Sequence, residues 1–171
     1  MGHSLGGGIA LMLAERFPNE FDGALPLCTF VGGSRLQMEY IAGVRAVFDV
    51  FFPGVIPGDV FTVPAGLDFA AHVVPAVSAA MAANPVAAAT FAAVDQVAIQ
   101  WVTPADLVTQ TLRALRYQVV GTDDLLDRTH GIPVDNTATV YTIGGVPHPG
   151  LNAAVQRYAA RPNAEHYLEK Y

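Results

Sequence analysis

The feature that most constrains this chain is its opening run, Met1-Gly2-His3-Ser4-Leu5-Gly6-Gly7, followed by the apolar stretch from Gly8 to Phe17 and then Pro18. Gly-x-Ser-x-Gly is the spelling of a nucleophile elbow, in which a strand ends, the backbone turns sharply on the serine and a helix begins. Such a turn holds Ser4 in a strained conformation that lifts its hydroxyl clear of a sheet. Gly2 and Gly6 are expected to flank it because a side chain at either position collides across so tight a turn. The run to Phe17 supplies the helix and Pro18 ends it. The same residues also describe a plainer object: a glycine-rich turn in which the Ser4 side chain caps the helix and performs no chemistry.

Phe21-Asp22 leads from that helix into residues 23–31, an apolar strand closed by Gly32-Gly33. Buried parallel strands read as near-continuous apolar runs, so strand, elbow, helix and strand make one βαβ step. Pro26 sits awkwardly inside the strand, since it removes a ladder donor and favours an edge or a strand start.

Gly2-His3-Ser4-Leu5-Gly6-Gly7 resembles the elbow of the α/β-hydrolase family, where Gly-His-Ser-x-Gly-Gly is a common spelling. The resemblance implies an α/β fold class: a partial α/β-hydrolase core over 1–33, comprising the elbow helix and one sheet strand, then a mostly helical lid or cap over 34–171. It implies Ser4 as the nucleophile of an acyl-enzyme mechanism, with the backbone N–H of Leu5 as one oxyanion-hole donor. The substrate so implied is a small-molecule ester, with a peptide as the other option, and no cofactor is needed. The tail from Leu151 to Tyr171 is similar to the end of such a lid, after which the chain re-enters the sheet. On this reading the chain is an internal fragment, and the strands delivering the catalytic acid and histidine lie outside it. The polypeptide by itself is then expected to be inactive or nearly so.

Composition narrows the alternatives. With 52% apolar and only 14% charged residues the chain is not disordered, and at net charge −6 it has no Lys/Arg cluster to neutralise the phosphates of a nucleic acid. The lone Cys28 excludes an internal disulfide and reads as a small buried apolar residue in the strand. Residues 69–94 carry no Asp, Glu, Lys or Arg, but Pro75, Asn84 and Pro85 interrupt them, which predicts two short Ala-rich helices rather than a membrane span.

From Ser34 onward the sheet pattern disappears. Met38, Ile41, Arg45 and Phe48 step at helical intervals over 35–52, and Pro53-Gly54 and Pro57-Gly58 mark a loop through Gly66. Thr103-Pro104-Ala105-Asp106 is a helix start, with Val108, Leu112, Leu115 and Val119 on one face. The acidic run 123–127 reads as a solvated helix end. Residues 136–143 show β-branched alternation and predict an exposed strand, and two last helices are expected near 151–160 and 164–170.

A serine nucleophile needs a base, and the base needs an orienting acid. Of His3, His72, His130, His148 and His166, His3 is too close to Ser4 in the turn to serve. Asp135 with His148 is the best candidate pair within the chain, in the order Ser, acid, His. Only twelve residues separate them, too few for a crossover and a second strand. Phe48, Phe51, Phe52, Trp101, Tyr117 and Tyr141 are either walls of a substrate pocket or core of the lid. Asp59, Asp68 and Asp95 are too scattered for a metal site, and none is expected. A non-catalytic helical binding module, or a degenerate hydrolase, is the competing reading. An uncovered sheet edge and apolar face at 23–31 further predict self-association.

Overall fold

The computed structural model describes residues 1–29 and 33–164. The fold is mixed α/β and mostly helical, with two small strand pairs.

The N-terminal unit is a miniature βαβ step. Strand β1 (Gly2–His3) runs into helix α1 (Leu5–Arg16), and the chain returns through β2 (Pro26–Leu27) parallel to β1. The register pairs Gly2 with Pro26 and His3 with Leu27. Gly2 N–H donates to the Leu25 carbonyl at 3.2 Å and Ser4 N–H to the Leu27 carbonyl at 2.8 Å. Both bonds use amides of the first strand and carbonyls of the second, so Pro26, which opens β2, forfeits neither. The strand expected over 23–31 is therefore two residues long where it is described, and it has a partner; residues 30 and 31 lie outside the described residues. Cys28, expected to be buried, is exposed and adopts φ 50° just past β2, because the chain has already left the ladder there.

The helical body has a core of its own. Helix α2 (Gly33–Phe51) presents Ile41, Val44, Val47 and Phe48 inward and stops before Pro53-Gly54. A π-helical turn (Phe69–Val73) passes directly into α3 (Val74–Ala83), so Pro75 sits in a first turn, where its missing N–H is harmless. Asn84 then caps α4 (Pro85–Ala92), its side-chain oxygen accepting from Ala87 N–H at 3.1 Å. The two Ala-rich segments bend by 104° at this break, and among the described residues no single helix is long and apolar enough to cross a membrane. Helix α5 (Pro104–Thr129) opens on a capping box between Thr103 and Asp106 and ends on His130 in the left-handed region, φ 55°. Its Leu107, Leu115 and Val119 are buried, with Val108 and Leu112 packed against the core from its margin. Helices α2 and α5 pack on each other, α4 closes against both, and α3 packs against α5 and α4. Phe48 stacks on Phe52 with centroids 4.9 Å apart and meets Phe91 edge-on at 5.7 Å.

One charged residue belongs to this interior. Arg45 is fully buried on α2. It donates to Asp49 at 2.8 Å, to Gln118 Oε1 at 3.0 Å and to the carbonyls of Ile56 and Gly58 at 3.1 and 3.3 Å. Gln118 in turn donates to the Val60 carbonyl at 2.6 Å, so the network ties α2, α5 and the 56–60 loop together. Burial pushes the Asp49 carboxyl above its usual range, with Arg45 pulling it back.

The C-terminal third departs from its sequence pattern. Residues 136–143 are expected as one strand, but only Thr142–Ile143 (β3) is extended in a ladder, paired antiparallel with Val146–Pro147 (β4) through Gly144-Gly145, both at positive φ. Asp135 and Asn136 account for the difference. The Asp135 carboxylate accepts from Thr137 N–H at 2.8 Å, and Thr139 N–H returns to the Asn136 carbonyl at 3.1 Å, which turns the chain back. The helix expected near 151–160 is shorter, α6 (Pro149–Ala154). Beyond it the backbone runs extended beside 132–136, with Asn136 N–H to the Tyr158 carbonyl and Arg161 N–H to the Ile132 carbonyl. The helix expected over 164–170 falls almost wholly outside the described residues.

Candidate active site

Ser4 stands between β1 and α1 at φ 53°, ψ −123°. A serine with a Cβ is strained there by roughly 1–3 kcal/mol, which persists only if the surroundings enforce it. The enforcement is visible in the glycines. A Cβ on Gly2 lies 1.9 Å from the Gly6 carbonyl oxygen, an impossible approach, so position 2 admits only glycine in this turn. The expectation for Gly6 differs from what is found: a Cβ there meets no atom within 4 Å among the described residues. The second close approach belongs to Gly7, whose Cβ would lie 2.9 Å from Thr29 Cβ and 3.0 Å from the Gly2 carbonyl oxygen. Gly7 is the one buried residue of α1 and lets the helix lie down on the strand pair. The triplet Gly6-Gly7-Gly8 held that signal without saying which glycine is the tight one.

The serine does not behave as a side-chain cap. A capping residue has extended backbone and an oxygen accepting from the second or third helical amide. Here the Ser4 side chain makes no cap bond, and it is the Ser4 carbonyl that accepts from Gly7 and Gly8 N–H, at 2.9 and 3.2 Å. The residue is exposed, so its hydroxyl is open to an incoming molecule. Leu5 N–H is the first of α1 and, like every amide of a first helical turn, has no intrahelical acceptor. It adjoins Ser4 at the positive end of a helix, which suits it to a developing negative charge.

Among the described residues, Asp135, His148 and His72 make their hydrogen bonds to groups other than Ser4. Asp135 is held in its own loop by Thr137 and by Ala160 N–H, and these hydrogen bonds, the Thr137 hydroxyl foremost, keep its carboxyl below the ordinary range. His148 caps α6, its Nδ1 accepting from Leu151 N–H at 3.0 Å. A triad histidine instead donates from Nδ1 to its acid and accepts the serine proton at Nε2. With Nδ1 committed as an acceptor, His148 offers Asp135 no such donor, and no hydrogen bond joins the two among the described residues. His72 Nδ1 likewise accepts locally, from Asp68 N–H at 3.1 Å. His166 lies outside the described residues.

Of the aromatic candidates, Phe48 and Phe52 are core and Phe51 packs against it. Tyr141 is buried at the edge of a cavity, whereas Trp101 and Tyr117 are 40% and 67% exposed. Asp59 accepts from Phe61 N–H and Asp68 from Ala71 N–H, while Asp95 holds the β3–β4 turn through Thr142, Gly144 and Gly145. Asp59 and Asp68 thus each serve their own loop, and Asp95 ties its loop to the β3–β4 turn. Among the described residues no group of three or more His, Cys, Asp or Glu is placed to hold a metal. No family model, curated protein or solved structure matches the chain.

Proposed function

We propose that this chain carries the nucleophile and the lid of a serine hydrolase of the α/β-hydrolase family, acting on a carboxylic ester, with peptide bonds as the alternative substrate. The observation that carries this reading is the Ser4 backbone: φ 53°, ψ −123° between a parallel strand and a helix, with a side chain that caps nothing. A strained serine at a strand-to-helix turn is the arrangement that presents Oγ to a carbonyl carbon. In the proposed reaction Ser4 Oγ bonds to that carbon as its proton passes to a base. The oxyanion takes a hydrogen bond from Leu5 N–H, the alcohol leaves with the proton, and water repeats the sequence on the acyl-enzyme. The base and its acid belong, in this reading, to sequence beyond residue 171, and a second oxyanion donor to sequence before residue 1. Residues 34–171 are the lid in this reading.

A fluorophosphonate probe tests the assignment on a chain extended through the reading frame on either side. Labelling is expected in the extended chain and not in its Ser4→Ala form, and equal labelling of both would overturn the proposal. The 171-residue chain alone is expected to show no burst with an activated ester, because loss of one oxyanion donor costs about 10²–10³ in rate even before the base is considered. The competing reading, a non-catalytic helical module, draws on one observation: no residue of 1–29 enters the core of the helical body. In-frame stop codons flanking the coding region would favour it.

A further inference from the structure

The reaction proposed for Ser4 leaves one built feature of the helical body without a role. A cavity of about 240 Å³ opens between α2 and the 134–141 loop. Its walls include Glu39, Tyr40, Gln96, Asp135, Tyr141 and Tyr158, and among the described residues neither a lysine nor an arginine lines it. Tyr158 is only 8% exposed, and its ring is fixed edge-on by Phe61 with centroids 4.9 Å apart. The residue lines this space, and its hydroxyl makes no hydrogen bond among the described residues, where Tyr158 bonds only through its backbone. Although the Tyr158 ring is buried, its hydroxyl is not among the buried side-chain atoms left without a partner, so it is open to whatever occupies the cavity. Burial, and after it the nearness of Tyr141, Glu39 and Asp135, pushes the Tyr158 hydroxyl well above the usual phenol range, with Arg157 opposing. It is therefore a neutral hydroxyl among acceptors.

The cations nearby are already engaged. Arg157 donates to the carbonyls of Asn136 and Thr139 at 2.7 Å and to that of Asn152 at 3.1 Å, with its guanidinium 5.2 Å from the Tyr141 ring centroid. Arg35 pairs with Glu39 at 2.9 Å, but both side chains are partly exposed, and such a pair holds weakly. An anion entering the cavity would face two carboxylates, whereas a cation would face carboxylates, phenol oxygens and three aromatic rings.

We infer that this cavity binds a small organic ammonium ion, its N–H groups donating to Glu39 and to the Tyr158 hydroxyl oxygen and its charge lying against the tyrosine rings. The volume falls just short of the roughly 300–1,000 Å³ of drug-sized clefts, so the ligand is a small one. The inference is independent of the reaction assigned to Ser4.

Isothermal calorimetry on the full chain with benzylammonium, benzyl alcohol and benzoate separates charge from shape. Benzylammonium is expected to bind one to one, the alcohol at least about tenfold more weakly, and benzoate not at all. Tyr158→Phe, which keeps the ring, is expected to weaken benzylammonium about tenfold while leaving the far-UV circular dichroism unchanged. Glu39→Gln should do the same. If Glu39→Gln fails to fold, Tyr158→Phe and benzoate still decide the matter. Absence of benzylammonium binding, equal binding of the alcohol or benzoate, or a Tyr158→Phe chain that binds like the parent would overturn the inference.

Discussion

At Ser4 the unusual backbone is imposed by a neighbour rather than chosen by the serine itself. The 1.9 Å that a Cβ on Gly2 would leave to the Gly6 oxygen means that Gly2→Ala must open the turn, at an expected cost of about 1–3 kcal/mol. Gly6→Ala is expected to be neutral or stabilising by up to about 1 kcal/mol, since the space is open and alanine is the better helix former. Hydrogen exchange of the Ser4 amide, bonded to the Leu27 carbonyl, reads both: protection should be lost in the first variant and kept in the second. Arg45 is the other residue that matters singly. Arg45→Ala leaves Asp49, Gln118 and two carbonyls without their donor, and urea unfolding is expected to show a loss of about 3–5 kcal/mol. The sequence placed Arg45 on the inward face of its helix by spacing alone. It could not show that Gln118, 73 residues away, would be there to receive it.

At the scale of elements, helices were legible and short strands were not. Thr103-Pro104-Ala105-Asp106 announces α5 because its signals are local: a cap, a proline in the first turn and an acid reaching back. Residues 136–143 misled because β-branched alternation is local, while the Asn136 side chain bonds across the fold to Tyr158 N–H and the Gln156 carbonyl, beside the local turn that Asp135 makes with Thr137. The Gly-x-Ser-x-Gly run was legible as a turn between a strand and a helix, yet only coordinates distinguish Gly7 from Gly6 as the tight position. The β3–β4 element also carries a pH dependence. Asp95 is held below the ordinary carboxylate value of 3.8, first by the Thr142 hydroxyl and then by Gly145 and Gly144 N–H. A lowered folded-state pKa gives stability that is present above the unfolded-state value and lost as the pH falls through the folded one. The parent is therefore expected to lose stability as the pH drops from about 5 toward 2, and Asp95→Asn should flatten that slope.

For the molecule as a whole, the two parts differ in how they are held. The helical body encloses Val44, Phe48, Phe91 and Leu115, whereas the βαβ unit buries within α1 only Gly7 and leaves Leu5, Ile9, Met12 and Phe17 in solvent. That apolar face, more than the two-residue strand edges, is the expected seat of self-association. Sedimentation velocity should show concentration-dependent association that Ile9→Lys with Met12→Lys suppresses, without change in helical content. The same division has a consequence for synthesis. Ribosomes add roughly 5–20 residues per second, so the segment bearing Ser4 emerges on the order of ten seconds before Tyr158 arrives to complete the interior. During that interval the strained turn has only its own strand pair to hold it. The segment that emerges ahead of the helical body is therefore also the part whose shape is least insured, and through that interval its apolar helix α1 is open to a chaperone that recognises such faces.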